Sequence, residues 1–216
     1  MLKAVLFDFD GTIADTLSVC IDAFRQTVEP VVGRSLSIED VRSYFGPTEE
    51  GIFKKHFPER AQCMVETYLE RYAALQNEKK ELVPGILELI NALKKKGIRV
   101  ALVTAKGVLS CKISLEFYKI ADAFETIECG SETGRAKADS IAKALADMKL
   151  NPNEVVYVGD SPKDVVSSRK AGVPAWSAAW LDSAEPEKIL ANSPDEIFYT
   201  VAQFKERLER EVGSLD

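Results

Sequence analysis

The chain has a single histidine and only four cysteines, Cys20, Cys63, Cys111 and Cys129, which stand far apart. No two cysteines fall at a CxxC spacing, so a Cys/His zinc site is excluded. The same scatter gives no disulfide framework, and free thiols in a reducing, cytoplasmic setting are the expectation. Positive charge is also in short supply: 28 Lys and Arg stand against 34 Asp and Glu, a net charge of -6. A chain with no basic footprint is not expected to partner nucleic acid or an anionic membrane surface. No apolar run approaches the roughly 18 residues that a membrane span needs. The run from Ala4 to Phe7 stops at an acid, Asp8, so no signal peptide is expected. These absences leave monomer and dimer both open.

What is present is ordinary globular material, 46% hydrophobic and 29% charged over 216 residues. That length allows a core domain with one insertion. Short aliphatic runs, Leu2 to Phe7, Val100 to Val103 and Val155 to Val158, have the unbroken character of strands buried on both faces. Ile127 to Cys129 and Ala175 to Ala178 are weaker strand candidates. Helical patterns alternate with them. Ile86, Ile90 and Leu93 share a face, and the segment ends in three lysines and Gly97. Ile141, Leu145 and Met148 repeat the spacing. Ser161-Pro162 opens another helix, which stops at Gly172, and Val201, Phe204, Leu208 and Val212 mark a last one. Strand and helix in alternation predict an α/β fold with a doubly wound parallel sheet.

One stretch breaks the alternation. From Asp15 to Val83 only helical patterns occur: Val19 to Val28, Ser37 to Phe45, Glu49 to His56 and Ala61 to Asn77. Ser37 to Asp40 reads as a capping box. The expected organisation is a core of residues 1–14 and 85–216 with an all-helical cap over 15–84, Pro84-Gly85 marking the return.

Chemistry concentrates at predicted strand ends, where open α/β sheets bind ligands. Asp8-Phe9-Asp10-Gly11-Thr12 leaves the first strand. At a spacing of two, both carboxylates point to one face of a strict strand. Crowded carboxylates resist joint ionisation unless a cation lies between them. Gly11 permits the turn, and Thr12 can cap the segment beyond it. Gly159-Asp160-Ser161-Pro162-Lys163-Asp164 leaves a second strand, and its carboxylates suit a hard cation such as Mg²⁺. Ser161 and Asp164 are equally a capping box, and both readings stand. Thr104 ends a third strand, where its hydroxyl and the backbone amides after it, from Ala105 on, can hold phosphoryl oxygens. Lys137 can neutralise charge between carboxylates and a phosphate.

In this order, the four items resemble the motifs of the haloacid dehalogenase-like superfamily, over the whole chain. Motif I looks like Asp8-x-Asp10-Gly11-Thr12, motif II like Thr104, motif III like Lys137 and motif IV like Gly159-Asp160-Ser161-x-x-Asp164. Two departures stand out: Ala138 follows Lys137 where many relatives have proline, and Ala105 replaces the asparagine of phosphoglycolate phosphatase-like chains. The resemblance implies a Rossmann-like core under a helical cap, with Mg²⁺ as cofactor. Asp8 is then the nucleophile and Asp10 the acid and base. Mg²⁺ falls to Asp8, the Asp10 backbone carbonyl, Asp160 and Asp164, and the phosphate to Thr104, Ala105 and Lys137. It further implies a small phosphorylated metabolite as substrate, a phosphoglycolate-like monoester above others. The alternatives are a β-phosphoglucomutase-like mutase, a pyrophosphatase and a non-enzymatic phosphometabolite-binding protein. Thr12 and the loop Gly46 to Glu50 argue for hydrolysis over mutase chemistry, and Asp10 argues against dehalogenation. Selectivity is expected in the cap, with the Gly46 to Glu50 loop reading the substrate. Arg42, Lys54 and Lys55 are candidate contacts for a substrate anion. His56 is expected at the cap surface, and Trp176 and Trp180 in packing.

Overall fold

The computed structural model describes residues 1–78 and 81–215; residues 79 and 80 of the expected cap and residue 216 of the core lie outside them. The chain begins with β1 (Ala4–Phe7), then α1 (Leu17–Val32), α2 (Ile38–Tyr44), α3 (Glu49–His56) and α4 (Ala61–Glu78). Next come α5 (Ile86–Lys95), β2 (Arg99–Val103), α6 (Val108–Tyr118), β3 (Thr126–Glu128) and α7 (Lys137–Met148). The last elements are β4 (Val155–Gly159), α8 (Pro162–Lys170), β5 (Ala175–Ala178), α9 (Pro186–Leu190), β6 (Glu196–Phe198) and α10 (Val201–Val212).

The strands form one sheet in the order β3-β2-β1-β4-β5-β6, and each pair is parallel. Alternate residues of the central strands feed opposite faces, as the two-residue period of a strand requires. Val5, Phe7, Val100, Leu102, Val156 and Val158 pack with residues of α5, α6 and α10. Leu6, Ala101, Val103, Val155 and Tyr157 pack against Ile141, Leu145 and Met148 of α7 on the other side. Both faces are covered, which is why these strands are unbroken apolar runs. Strand order reverses at β1, which has β2 on one side and β4 on the other. The register Phe7↔Leu102 and Phe7↔Val158 brings the residues just past β1, β2 and β4 to one crevice at the C-terminal edge.

The helices α1 to α4 enclose an apolar core of their own, built around Phe24, Phe53, Met64, Tyr68 and Tyr72. Phe24 and Phe53 stack at 5.8 Å with an interplanar angle of 11°. The fold is thus a Rossmann-like sheet with an inserted helical cap. Two linker segments join the halves: the Asp15 amide donates to the Glu81 carbonyl at 3.3 Å, and the Val83 amide to the Ile13 carbonyl at 2.9 Å. The Ser37–Asp40 capping box is present.

Three elements differ from the sequence reading. α1 runs on to Val32 through Pro30 and ends at Gly33 in the left-handed region. A proline in the last turn forfeits one amide bond without ending the helix. β6 is too short to carry a two-residue pattern. α6 leaves Val108 and Leu109 exposed at its start, which blurs its apolar face.

Phe204 of α10 is fully buried beneath the sheet, with its ring centroid 5.2 to 6.0 Å from Phe7, Trp176, Trp180 and Phe198. Phe204→Ala is expected to lower unfolding stability by about 3–5 kcal/mol. Urea denaturation of the two proteins measures it, and a loss below about 1 kcal/mol contradicts this account of the core.

Candidate active site

Asp8 follows β1, and Asp160 follows β4. Lys137 opens α7, and Asp164 lies in the first turn of α8. The Lys137 ammonium bonds Asp8 Oδ2 at 2.6 Å and Asp164 Oδ1 at 2.5 Å. Oxygens of Asp8, Asp160 and Asp164 lie within 4.8 Å of one another. Three carboxylates therefore face one ammonium, leaving two negative charges uncompensated. Burial raises the Asp8 carboxyl to about 6, against the pull of Lys137. Burial, then Asp164 and Asp8, push Asp160 well above the carboxylate range. Burial works against ionised Asp164 too, but Lys137 holds its carboxyl below the usual value. A small divalent cation would supply the missing charge, and clustered carboxylate oxygens are the donors such a hard ion prefers. The residues present fit such an ion.

Asp164 satisfies both sequence readings at once. Its Oδ2 accepts from the Ser161 amide at 3.0 Å and the Ser161 hydroxyl at 2.6 Å, a complete capping box. Its Oδ1 is left for Lys137 and for the Tyr157 hydroxyl at 3.2 Å. The cap thus fixes the rotamer that presents the other oxygen to the site. α7 starts at Lys137 although Ala138 stands where relatives have proline.

Asp10 departs from expectation. The strand ends at Phe7, so the two-residue period does not carry through, and its carboxylate lies outside the Asp8 group. The carboxylate is held instead by the Lys106 ammonium at 3.1 and 3.3 Å and by the Thr16 hydroxyl. The Cys20 thiol adds a contact at 3.6 Å. Lys106 is buried, 4.3 Å above the Tyr72 ring of α4. Burial disfavours its charge, but Asp10, Cys20, Tyr72 and Tyr68 together hold the ammonium well above the usual lysine value. Sequence reasoning passes over Lys106 and Cys20, because each matters only through partners distant in the chain, Asp10 and Tyr72 for Lys106 and Asp10 and Lys106 for Cys20. Thr12 also differs: its buried hydroxyl has no hydrogen-bond partner, while its carbonyl accepts from the Trp180 indole at 3.1 Å. Trp180 therefore anchors the loop after Asp8, and Trp176 is core. Thr104 is buried past β2, its hydroxyl accepting from the Lys106 amide at 3.3 Å; Ala105 is exposed beside it.

Between the halves lies a cavity of about 140 Å³. Asp10, Ala105 and Lys106 form its core side, and Gly46, Pro47, Thr48 and Glu49 enter from the cap. Glu50 does not reach it. The Thr48 amide donates to the Ser131 carbonyl at 3.1 Å, and Gly107 N–H to Glu49 Oε2 at 3.2 Å, so the cap sits down on the core. The cap cations are elsewhere: Lys54 pairs with Glu132 at 2.5 Å, Arg42 stands 4.0 Å from Glu185, and Lys55 is exposed. His56 is on the surface against Tyr44. Among the described residues, no helix is long and apolar enough to cross a membrane.

A family model described as haloacid dehalogenase-like hydrolase matches residues 5–178. The chain belongs to that family, and it is a phosphatase. It is similar to a protein named putative pyrophosphatase PpaX of Caldanaerobacter subterraneus subsp. tengcongensis, 31% identical over 91% of this chain and 90% of that one. Pyrophosphatase PpaX of Anoxybacillus flavithermus is 27% identical, over 90% and 94%. Among solved structures, CbbY from Rhodobacter sphaeroides in complex with phosphate has a TM-score of 0.77 at 23% identity, over 94% and 96%. β-Phosphoglucomutase from Clostridium difficile has 0.78 at 20%, over 99% and 97%. These two structures share the fold.

Gly11 has a φ of +82°, and a Cβ there would lie 2.1 Å from Asp160 Oδ2. Gly11→Ala is expected to destabilise the fold by about 2 kcal/mol and displace Asp160. Thermal melts with and without Mg²⁺ check it: the wild type gains melting temperature with the ion and the variant gains little. An unchanged Mg²⁺ response in Gly11→Ala overturns this placement of Asp160.

Proposed function

We propose that this phosphatase is Mg²⁺-dependent and hydrolyses a small phosphomonoester through an aspartyl phosphate on Asp8. The observation that carries the reading is the Lys137 ammonium shared by Asp8 and Asp164, with Asp160 beside them and two charges left uncompensated. Asp8, Asp160 and Asp164, with the Asp10 carbonyl, are the residues that would hold Mg²⁺. The ion supplies charge neutralisation for the phosphoryl group and its approach to an anionic nucleophile.

Lys137 on Oδ2 and the Phe9 amide on Oδ1, at 2.8 Å, fix the Asp8 carboxylate for in-line attack on phosphorus. The same ammonium, with the Thr104 hydroxyl and the Ala105 amide, stabilises the equatorial oxygens as charge spreads over them. Asp10 borders the cavity, away from the metal-binding carboxylates, which suits it to the leaving group. It protonates the leaving oxygen and then takes a proton from the water that opens the acyl phosphate. Lys106, Thr16 and Cys20 hold Asp10 toward the cap, so it is a positioned group. The helical insertion, residues 15–84, is the cap that closes over the reaction and excludes bulk water.

Asp8→Asn is expected to lower turnover at least about 10³-fold, since an amide is a far poorer nucleophile. Phosphate release by purified variant and wild type decides it, and near-wild-type release sinks the mechanism.

Exhaustive chelation should abolish activity and Mg²⁺ restore it, while Ca²⁺ supports it poorly because its looser coordination misaligns attack. Full activity after EDTA dialysis contradicts the metal assignment.

A further inference from the structure

The cavity over Asp10 has a chemistry of its own. Its walls are mostly apolar, with Leu17, Phe24, Phe45 and Ile52 among them. Two carboxylates, Asp10 and Glu49, face it against one ammonium, that of Lys106, which is already paired with Asp10 at 3.1 Å. Among the described residues no other cation lines it, and the cap cations Arg42 and Lys54 are turned to acids of the core. A leaving group with its own negative charge would enter an apolar space lined by two carboxyl groups, whose one ammonium is already taken by Asp10, which is a costly burial.

Glu49 points the same way independently. It is 7% exposed, and Oε1 has no hydrogen-bond partner. Its carboxylate lies against the start of α6, where a Cβ on Gly107 would fall 2.6 Å from Oε2, so glycine there admits it. A buried carboxylate oxygen without a donor is an unfilled acceptor. A hydroxyl or ammonium group of a ligand would fill it. The cavity holds about 140 Å³ and opens to solvent, so the part of the leaving group that lies beside Asp10 and Glu49 is small.

Resting on the phosphatase reading above, we propose that the substrate is a phosphomonoester of a compact, uncharged or cationic alcohol that carries a second hydrogen-bond donor to Glu49. Inorganic pyrophosphate and phosphoglycolate, whose leaving groups are anions, are poor substrates on this view. The chain is thereby set apart from what its relatives' names say of them, and from the phosphoglycolate-like expectation.

The test measures kcat/KM with Mg²⁺ for propyl, hydroxypropyl and aminopropyl phosphates, phosphoglycolate and pyrophosphate, on wild type, Glu49→Gln and Glu49→Ala. Wild type should favour the better donor-bearing ester over propyl phosphate by about tenfold or more, and over both anionic substrates by at least as much. In both Glu49 variants the ratio of donor-bearing ester to propyl phosphate should fall toward one. Glu49→Gln keeps the size of the side chain and an acceptor for the Gly107 amide but sets a donor where Oε1 stands, so it removes the free acceptor if Glu49→Ala fails to fold. Best turnover of pyrophosphate or phosphoglycolate by wild type overturns the proposal, as does an unchanged ratio in Glu49→Gln. Failure of the underlying reading looks different: no ester in the panel is hydrolysed in an Asp8-dependent way.

Discussion

A single buried ammonium organises the site. Lys137 lies between Asp8, just past β1, and Asp164, in the first turn of α8, at 2.6 and 2.5 Å. Burying like charges together is unfavourable unless a cation compensates them, and one lysine does so only in part. Burial, and then the nearby Asp164 and Asp8, push the Asp160 carboxyl far up against the weaker pull of Lys137. The arrangement of β1, β4, α7 and α8 around this point is thus poised for a further positive charge and for a phosphoryl group.

A second ammonium, Lys106, performs a parallel task on the cap side. It binds Asp10, packs over Tyr72 of the cap and sits 3.5 Å from Cys20. The two aspartates of one short motif are therefore held by two different lysines, in two different surroundings. Separation of neighbouring carboxylates by environment is a general route to giving them different roles. Here the core lysine governs the proposed nucleophile and the cap-side lysine the proposed proton donor. Because Lys106 touches both halves of the molecule, cap position and Asp10 orientation are coupled through one side chain.

Much of the fold was legible in the sequence, for identifiable reasons. Strands buried on both faces have to be continuous apolar runs, so β1, β2 and β4 could be read from Leu2 to Phe7 and its counterparts. Ser37 and Ser161 announced their helices because a capping box is a local bond, complete within four residues. β6 and α6 escaped because the first has only three residues and the second has an exposed apolar start. Asp8, Lys137, Asp160 and Asp164, read from strand ends and helix starts, lie together because topology sets those positions. The shared face read for the Asp8 and Asp10 carboxylates does not carry over, because β1 stops at Phe7 and the pleat no longer dictates direction beyond it.

The sequence by itself determined the alternation of elements, the helical interruption after the first strand and which strand ends carry acids. Those features arise from periodicity and local hydrogen bonding, which act over a few residues. Only the tertiary structure decided which lysine pairs with which acid, since Lys137 lies 129 positions from Asp8 and Lys106 lies 96 from Asp10. It alone decided that Arg42 and Lys54 turn to the core while Glu49 enters the cavity. A helix face states what is polar, but not what will stand opposite it. The charge of the pocket, and with it the kind of molecule it admits, is a sum over residues that only packing brings together.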